Sequence, residues 1–168
     1  MNLSKKIETS ANVAIFILAI VLFIVLAQKF FLKSSTGNDE LIKVGEKVSL
    51  VGLDLDQSEK SILVALNPGC QFCTASAPFY RSIKESIAQN REIKFVGLFS
   101  PEVRNEKDYV VKLGVDFDAV KKVSFDALKI PSTPTVLVVS KDGIVLSVWQ
   151  GKLDSEKEQE FLSQLKTH

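Results

Sequence analysis

The hydrophobic pattern of the chain divides into a long apolar run near the N-terminus and short apolar segments after it. Residues 9–28 contain no charged side chain, and the centre of this run is almost wholly apolar. As a helix, a run of about 20 residues is about 30 Å long, which matches the hydrocarbon core of a bilayer. The run is apolar on all sides, unlike an amphipathic helix on a globular core. The pattern predicts a transmembrane anchor over residues 1–32, with residues 11–32 in contact with the lipid bilayer.

A cleaved signal peptide is the alternative interpretation of the same run. Lys5 and Lys6 would form its basic end, and small residues near Ala27 would offer a cleavage point. The run is long for a signal peptide, which favours an uncleaved, single-pass anchor. Lysines flank the run on both sides, so the positive-inside rule hardly decides its orientation.

The rest of the chain is predicted to form a linker and one domain. Residues 33–43 are interpreted as the linker, because they begin with a small, polar stretch. Residues 44–168 have the length of one ordinary domain. Short apolar segments alternate there with helical spacings, for example Ser61–Leu66, which is typical of a strand buried on both faces. The predicted strands are 47–55, 61–66, 93–99, 135–139 and 144–149, and the predicted helices begin near Cys70, at Glu102 and near Asp154.

Local signals support several of these boundaries. Gly114 stands where glycine ends helices, so the second helix is predicted to stop at Leu113. An Asp142-Gly143 pair between apolar runs predicts a β-hairpin. Ser155 and Glu158 have the spacing of a capping box at the start of the last helix.

The order of these elements predicts an α/β fold with a mixed central sheet and helices on both faces. A helix between two strands favours parallel pairing, and the final hairpin adds an antiparallel edge. A chain of 168 residues with 46% apolar composition can bury a core of this kind.

Composition excludes several classes of function. The net charge is +1, from 21 basic and 20 acidic residues, so no nucleic-acid partner is expected. Two cysteines are too few for a small disulfide scaffold. The only histidine is the last residue, His168.

The two cysteines form a pair at the point where strand 61–66 passes into a helix. Cys70 and Cys73 lie three residues apart, so their side chains are neighbours on a first helical turn, near enough for a disulfide. The free N–H groups of a helix start favour a thiolate on Cys70. Cys73, one turn further, would resolve a mixed disulfide.

Other interpretations of the pair are a structural couple of core cysteines, a zinc site and a haem attachment site. Zinc needs about four ligands, and the chain has two cysteines and a terminal histidine, so no metal is expected. Covalent haem needs a histidine after the second cysteine, where this chain has Thr74. A redox-active pair is the favoured hypothesis.

From about Val44 to Lys166 the sequence resembles the thioredoxin superfamily, in particular its exported, membrane-anchored branch of TlpA and ResA type. The resemblance is carried by the apolar strand before Cys70, the Cys-x-x-Cys pair, Pro78, the stretch Ile130–Thr135 before an apolar strand, and Gly151 after the hairpin. The order and spacing of these features are more specific than any one of them.

The resemblance implies a fold, an activity and a substrate-binding segment. Pro134 would follow a cis peptide bond and face the cysteines, and the backbone of Thr133 would pair with an extended substrate segment. The domain would lie on the extracytoplasmic side of the membrane, as in exported members of the family.

Three departures from the family pattern concern the chemistry. The family usually has tryptophan before the first cysteine, where this chain has Gly69. An acid often lies three residues after the second cysteine, where this chain has Ser76, and the strand before Cys70 also lacks one. The dipeptide between the cysteines, Gln-Phe, has no proline or histidine. The proton acceptor for Cys73 is therefore not identified by the sequence.

Three functions are consistent with these observations. The leading hypothesis is a membrane-anchored thiol–disulfide oxidoreductase that acts on protein thiols and disulfides, exchanges electrons with a membrane redox partner, and uses the Cys70–Cys73 disulfide without a further cofactor. A peroxiredoxin-like peroxidase is the second, although that chemistry favours Thr or Ser at the position of Asn67. The third is a non-enzymatic thioredoxin-fold interaction module, which the missing tryptophan and acid favour slightly.

Overall fold

A computed structural model describes residues 20, 22, 41–48 and 58–166 of the chain. The chain divides into two units, and the second, Asp39–His168, contains every strand and helix bounded below. Nearly all of the predicted anchor and of the predicted linker lies outside the described residues. Within the residues that are described, none of the helices has the length and apolar character needed to span a bilayer. The anchor and the domain boundaries stay predictions.

The described elements alternate between strands and helices, as the hydrophobic spacing predicts. Strands 61–66, 93–99, 135–139 and 144–149 are confirmed to within one residue at each end. In chain order the elements are β1 (Lys60–Leu66), α1 (Gln71–Ala75), α2 (Ala77–Ile87), β2 (Ile93–Phe99), α3 (Glu106–Leu113), β3 (Ala119–Lys122), β4 (Thr135–Ser140), β5 (Val145–Gln150) and α4 (Ser155–Lys166).

The described strands form one mixed sheet in the order β3-β2-β1-β4-β5. β1 is parallel to β2, with Leu66 opposite Phe99, and β2 is parallel to β3. β4 is antiparallel to both β1 and β5, and Ala65 lies opposite Thr135. The carboxyl ends of β1, β2 and β3 therefore share one edge of the sheet, where the loops that follow them meet.

The two faces of the sheet are covered by different parts of the chain. Alternate residues of β1 divide between two hydrophobic clusters, with Ile62 and Val64 in one and Leu63 and Ala65 in the other. Every described helix contributes buried side chains to the first cluster, and none of them contributes to the second. The second face is covered instead by residues of the segments 41–48 and 123–130.

The prediction of helices on both faces is therefore wrong for the described residues. The chain after β3 makes successive turns instead of a helix, in which Leu128 N donates to Ser124 O at 3.3 Å and Lys129 N donates to Asp126 O at 3.1 Å. The turns end at Lys129, whose φ of 51° lies in the left-handed region and cannot continue a helix.

The helix predicted from Cys70 is divided at Ser76. The backbone N–H of Ser76 donates to Phe72 O at 3.0 Å, and its Oγ donates to the same oxygen at 2.9 Å, which closes α1. Pro78 then occupies the first turn of α2, where a missing N–H costs no hydrogen bond.

Two further elements differ from the sequence predictions. Residues 100–103 form a turn closed by Val103 N and Ser100 O at 3.1 Å, so α3 begins at Glu106 and not at Glu102. Gly114, with a φ of 61°, ends α3 as predicted. The edge strand β3 was not predicted, because its four residues include two lysines and show no apolar run.

The start of α4 is capped differently from the prediction. The carboxylate Oδ1 of Asp154 accepts a hydrogen bond from Lys157 N at 2.9 Å, so Asp154 is the capping residue. Ser155 is the first residue of the helix, and the predicted capping box with Glu158 is wrong. Of the predicted strand 47–55, Lys47 bridges to Ile144, and nearly all the remaining residues lie outside the described part.

Candidate active site

A tight turn after β1 positions the first cysteine. The side-chain Oδ1 of Asn67 accepts a hydrogen bond from Gly69 N at 2.8 Å, and its backbone oxygen accepts one from Cys70 N at 3.0 Å. This local arrangement is typical of asparagine in turns. Cys70 then occupies the extended, capping position immediately before α1, with φ −90° and ψ 112°.

The Cys70 sulfur lies among hydrogen-bond partners from two parts of the chain. It accepts from Cys73 N at 3.4 Å, and its thiol donates to Thr133 O at 3.2 Å. Burial alone would raise the pKa of the Cys70 thiol, but hydrogen bonds from the Cys73 thiol and the Cys73 backbone N–H outweigh it. The pKa of Cys70 therefore lies below its ordinary value, which enriches the nucleophilic thiolate.

The second cysteine has the opposite environment. Cys73 is 0% exposed, and burial raises the pKa of its thiol to about 12, with the neighbouring Cys70 acting in the same direction. Cys70 is partly exposed, and both cysteines are free thiols. The pair thus combines an accessible sulfur that ionises readily with an enclosed one that retains its proton.

The loop before β4 brings the predicted substrate-binding residues to this pair. The peptide bond between Thr133 and Pro134 is cis. Pro134 is buried, and its carbonyl accepts a hydrogen bond from Gly151 N at 2.7 Å, which holds the loop against the end of β5. The structure therefore brings together all four predicted site residues: Cys70, Cys73, Thr133 and Pro134.

The described groups that most affect the pKa of the Cys73 thiol belong to Asn67, Cys70 and Thr133, and none of them is a carboxylate. Ser76, at the position where the resemblance leads us to expect an acid, is 3% exposed and donates its hydroxyl to Phe72 O. The described residues also contain no group of three or more histidines, cysteines or carboxylates that would hold a metal ion.

Two tyrosines that the sequence analysis did not select lie around the pair. Tyr80 is 1% exposed, and its hydroxyl makes no hydrogen bond of ordinary geometry among the described residues, although the nearby Ser76 side chain acts to lower its pKa. Tyr109 is also buried, and its hydroxyl lies 3.1 Å from Thr74 Oγ1. Burial raises the pKa of both hydroxyls, and in both cases a negative charge on Cys73 would raise it further.

The two tyrosines differ in how far the sequence could have indicated them. Tyr80 follows Cys73 by two helical turns, so helical spacing places both on one face. Tyr109 belongs to α3, more than thirty residues from the pair, and only the packing of that helix brings it close.

Comparison with known proteins identifies solved structures that share this fold. No protein-family model matches the sequence, and no curated protein matches it at a significant level. The structure is similar to a thiol-disulfide isomerase from Corynebacterium glutamicum, with 19% identity and a TM-score of 0.55, over 78% of this chain and 98% of that one. It is also similar to a secreted disulfide oxidoreductase of Mycobacterium tuberculosis homologous to E. coli DsbE, with 20% identity and a TM-score of 0.53, over 73% and 94% of the two chains.

A third solved structure with the same fold has a different described chemistry. The peroxidoxin BcpB of Mycobacterium tuberculosis is 18% identical, with a TM-score of 0.57, over 75% of this chain and 97% of that one. Identities this low establish the fold and not the reaction. The sheet order, the position of the cysteine pair and these similarities together show that the domain has the thioredoxin-like fold.

Proposed function

We propose that this chain is a thiol–disulfide oxidoreductase that exchanges disulfides with protein substrates through Cys70 and Cys73. The observation that carries the proposal is the asymmetry of the pair. Cys70 is partly exposed with a lowered pKa, whereas Cys73 is 0% exposed with a pKa raised to about 12. An attacking thiolate and a protected resolving thiol are the two groups that disulfide exchange requires.

The proposed reaction in the reducing direction has two steps. The Cys70 thiolate attacks one sulfur of a substrate disulfide, forms a mixed disulfide and releases the other substrate sulfur as a thiolate, which takes up a proton. Cys73 loses its proton and attacks the Cys70 sulfur, which releases the second substrate thiolate. Two electrons pass from the cysteine pair to the substrate, and the Cys70–Cys73 disulfide remains; oxidation of a substrate dithiol follows the same steps in reverse.

The substrate segment is proposed to lie along the loop before β4. Thr133 O accepts the hydrogen bond of the Cys70 thiol, so a chain paired with the backbone at Thr133 and Pro134 would pass next to the sulfur. Pairing of an extended segment with exposed backbone is a common mode of peptide recognition.

We further propose that residues 11–32 anchor the protein in a bilayer, with the domain on the extracytoplasmic side and a membrane redox partner that regenerates the pair. The support is the uncharged run 9–28. A membrane-impermeant thiol reagent applied to intact cells should label Cys70, and the protein should sediment with membranes. Labelling that requires lysis, or a soluble protein, would contradict the proposed location.

The activity is tested by thiol labelling with mass measurement. Two labels are expected after reduction and denaturation and none after oxidation. The variant C73S should form a stable mixed disulfide with a substrate disulfide. The variant C70S should not, because the remaining thiol is buried and protonated. A pair that does not cycle would overturn the proposal, and rapid consumption of peroxide by the reduced protein would favour the peroxidase instead.

A further inference from the structure

An open groove continues from the cysteine pair along the edge of the sheet. It has a volume of about 420 Å³ and is lined by residues that follow the carboxyl ends of three strands. Asn67 follows β1, Ser100 and Glu102 follow β2, and Asp126 belongs to the turns after β3. Crevices outside the carboxyl ends of parallel strands are frequent binding sites in α/β proteins.

The groove is continuous with the site of the proposed reaction. Asn67 and Thr133 both line it, and both hold Cys70 directly. Asn67 O accepts from Cys70 N at 3.0 Å, and Thr133 O accepts from the Cys70 thiol at 3.2 Å. A substrate segment that passes the Cys70 sulfur along Thr133 therefore enters this groove.

The charged residues that line the groove are both acidic. Glu102 and Asp126 are exposed carboxylates, and the residues that line the groove within the described chain include no lysine or arginine. Glu102 accepts a hydrogen bond from Ser100 Oγ, which leaves its charge in place. The nearest lysine in sequence to Asp126 is Lys129, whose Nζ lies 2.7 Å from Glu46 Oε2 and is paired there.

Because the net charge of the chain is close to zero, the two carboxylates determine the charge that a substrate meets in the groove. The net charge is only +1, so no field of the whole molecule overrides the two carboxylates in the groove. Complementary charges at the edge of a contact act chiefly on partner choice and on the rate of encounter.

We infer that the groove selects substrate segments that carry lysine or arginine within a few residues of the reactive cysteine. This inference rests on the proposed disulfide exchange at Cys70 and names its substrate class. An extended segment advances about 3.3 Å per residue. A basic side chain near the cysteine would then lie in the groove beside Glu102 and Asp126 while the substrate sulfur faces Cys70.

The test measures the second-order rate at which the reduced full-length protein, in detergent, attacks short peptides whose single cysteine carries a chromophoric thiol leaving group. Three matched peptides have lysine, glutamine or glutamate at the same position, and that position is moved from one to three residues on either side of the cysteine. The lysine peptide should react about 1.4- to 5-fold faster than the glutamine peptide, the range expected for exposed charge pairs. The glutamate peptide should be the slowest.

Charge variants of the groove and high salt test whether the preference for the lysine peptide arises in the groove. In the double variant E102Q/D126N the ratio between the lysine and glutamine peptides should approach one, and in E102K/D126K the glutamate peptide should become the fastest. About 1 M salt should abolish the preference in the wild type, because the Debye length falls to about 3 Å. The matched control is D142N, which removes one exposed carboxylate from the β4–β5 turn and should keep the wild-type ratio.

The possible failures are distinguishable. Equal, measurable rates for the three peptides would overturn the charge selection and leave the oxidoreductase proposal standing. A lysine preference that survives E102Q/D126N would also overturn the assignment to this groove. Absence of any reaction at Cys70 with all three peptides would overturn the proposed function and this inference with it.

Discussion

At the scale of single residues, the environment of each sulfur atom sets the pKa of its thiol. The Cys70 sulfur receives hydrogen bonds that stabilise a thiolate, whereas the Cys73 sulfur is enclosed among apolar side chains of the first cluster. Both cysteines come from one short stretch of chain, so the difference arises from where α1 places each of them.

The buried thiol of Cys73 should make stability depend on pH in alkaline solution. Its pKa is raised in the fold to about 12 from 9.0, so the unfolded chain releases this proton first. The stabilisation is fully present below pH 9 and is lost as pH rises toward 12. The free energy of unfolding of the reduced wild type should fall relative to C73A across this window, measured by urea denaturation under argon. A constant difference between the two proteins would contradict the raised pKa.

The two buried tyrosines provide a matched pair of substitutions. Tyr80→Phe removes a hydroxyl that makes no hydrogen bond of ordinary geometry among the described residues, and should raise the free energy of unfolding by about 1 kcal/mol. Tyr109→Phe removes a hydroxyl paired with Thr74 Oγ1, and should lower it by about 1 kcal/mol. Denaturant titration of both variants checks the opposite signs. Destabilisation by Tyr80→Phe would show that its hydroxyl is satisfied in solution.

At the scale of elements, short-range hydrogen bonds decide where the helices begin and end. Ser76 closes α1 with two hydrogen bonds to Phe72 O, although the apolar spacing continues into α2. Gly114 ends α3 because glycine adopts the left-handed conformation without a Cβ clash.

The start of α4 gives a direct test of the observed cap. Asp154→Ala should lower the melting temperature, because Lys157 N loses the Asp154 carboxylate as its acceptor. Ser155→Ala should have a smaller effect, since Ser155 is already inside the helix. The hydrogen bond from Lys157 N also lowers the pKa of Asp154, so its contribution is present at neutral pH and is lost as pH falls through that pKa. A larger effect at Ser155 would restore the capping box that the sequence predicts.

At the scale of the whole molecule, the second face of the sheet depends on a segment that precedes all the bounded strands. Ile42 and Val48 are 4% and 2% exposed and belong to the second hydrophobic cluster. Their backbone N–H groups donate to Lys129 O at 3.0 Å and to Gly143 O at 2.8 Å, which ties the segment to the turns before β4 and to the β4–β5 turn.

Two truncations should therefore behave differently. A chain of residues 39–168 retains both clusters and should unfold cooperatively, whereas residues 49–168 lose Ile42 and Val48. Loss of two buried side chains should lower the free energy of unfolding by roughly 3–6 kcal/mol. Urea denaturation of the two proteins checks this. Equal stabilities would show that residues 41–48 do not contribute to the core.

The sequence by itself determined those elements whose apolar residues form a recognisable pattern within a single short segment. β1, β2, β4 and β5 are predicted to within one residue at each end. The apolar residues that such a strand buries all lie within the strand itself, so its pattern can be recognised in a few consecutive residues. The proximity of Cys70 and Cys73 follows from the same kind of local rule, since Cys70 caps α1 and Cys73 lies in its first turn.

Only the tertiary structure decided what surrounds that pair. Thr133 lies 63 positions from Cys70, and their hydrogen bond exists because β4 pairs antiparallel with β1. Tyr109 reaches the cysteines through the packing of α3, and the acidic groove forms where the loops after β1, β2 and β3 meet. Such neighbours depend on how distant elements pack together, and the spacing of residues along the chain does not show which distant elements pack together.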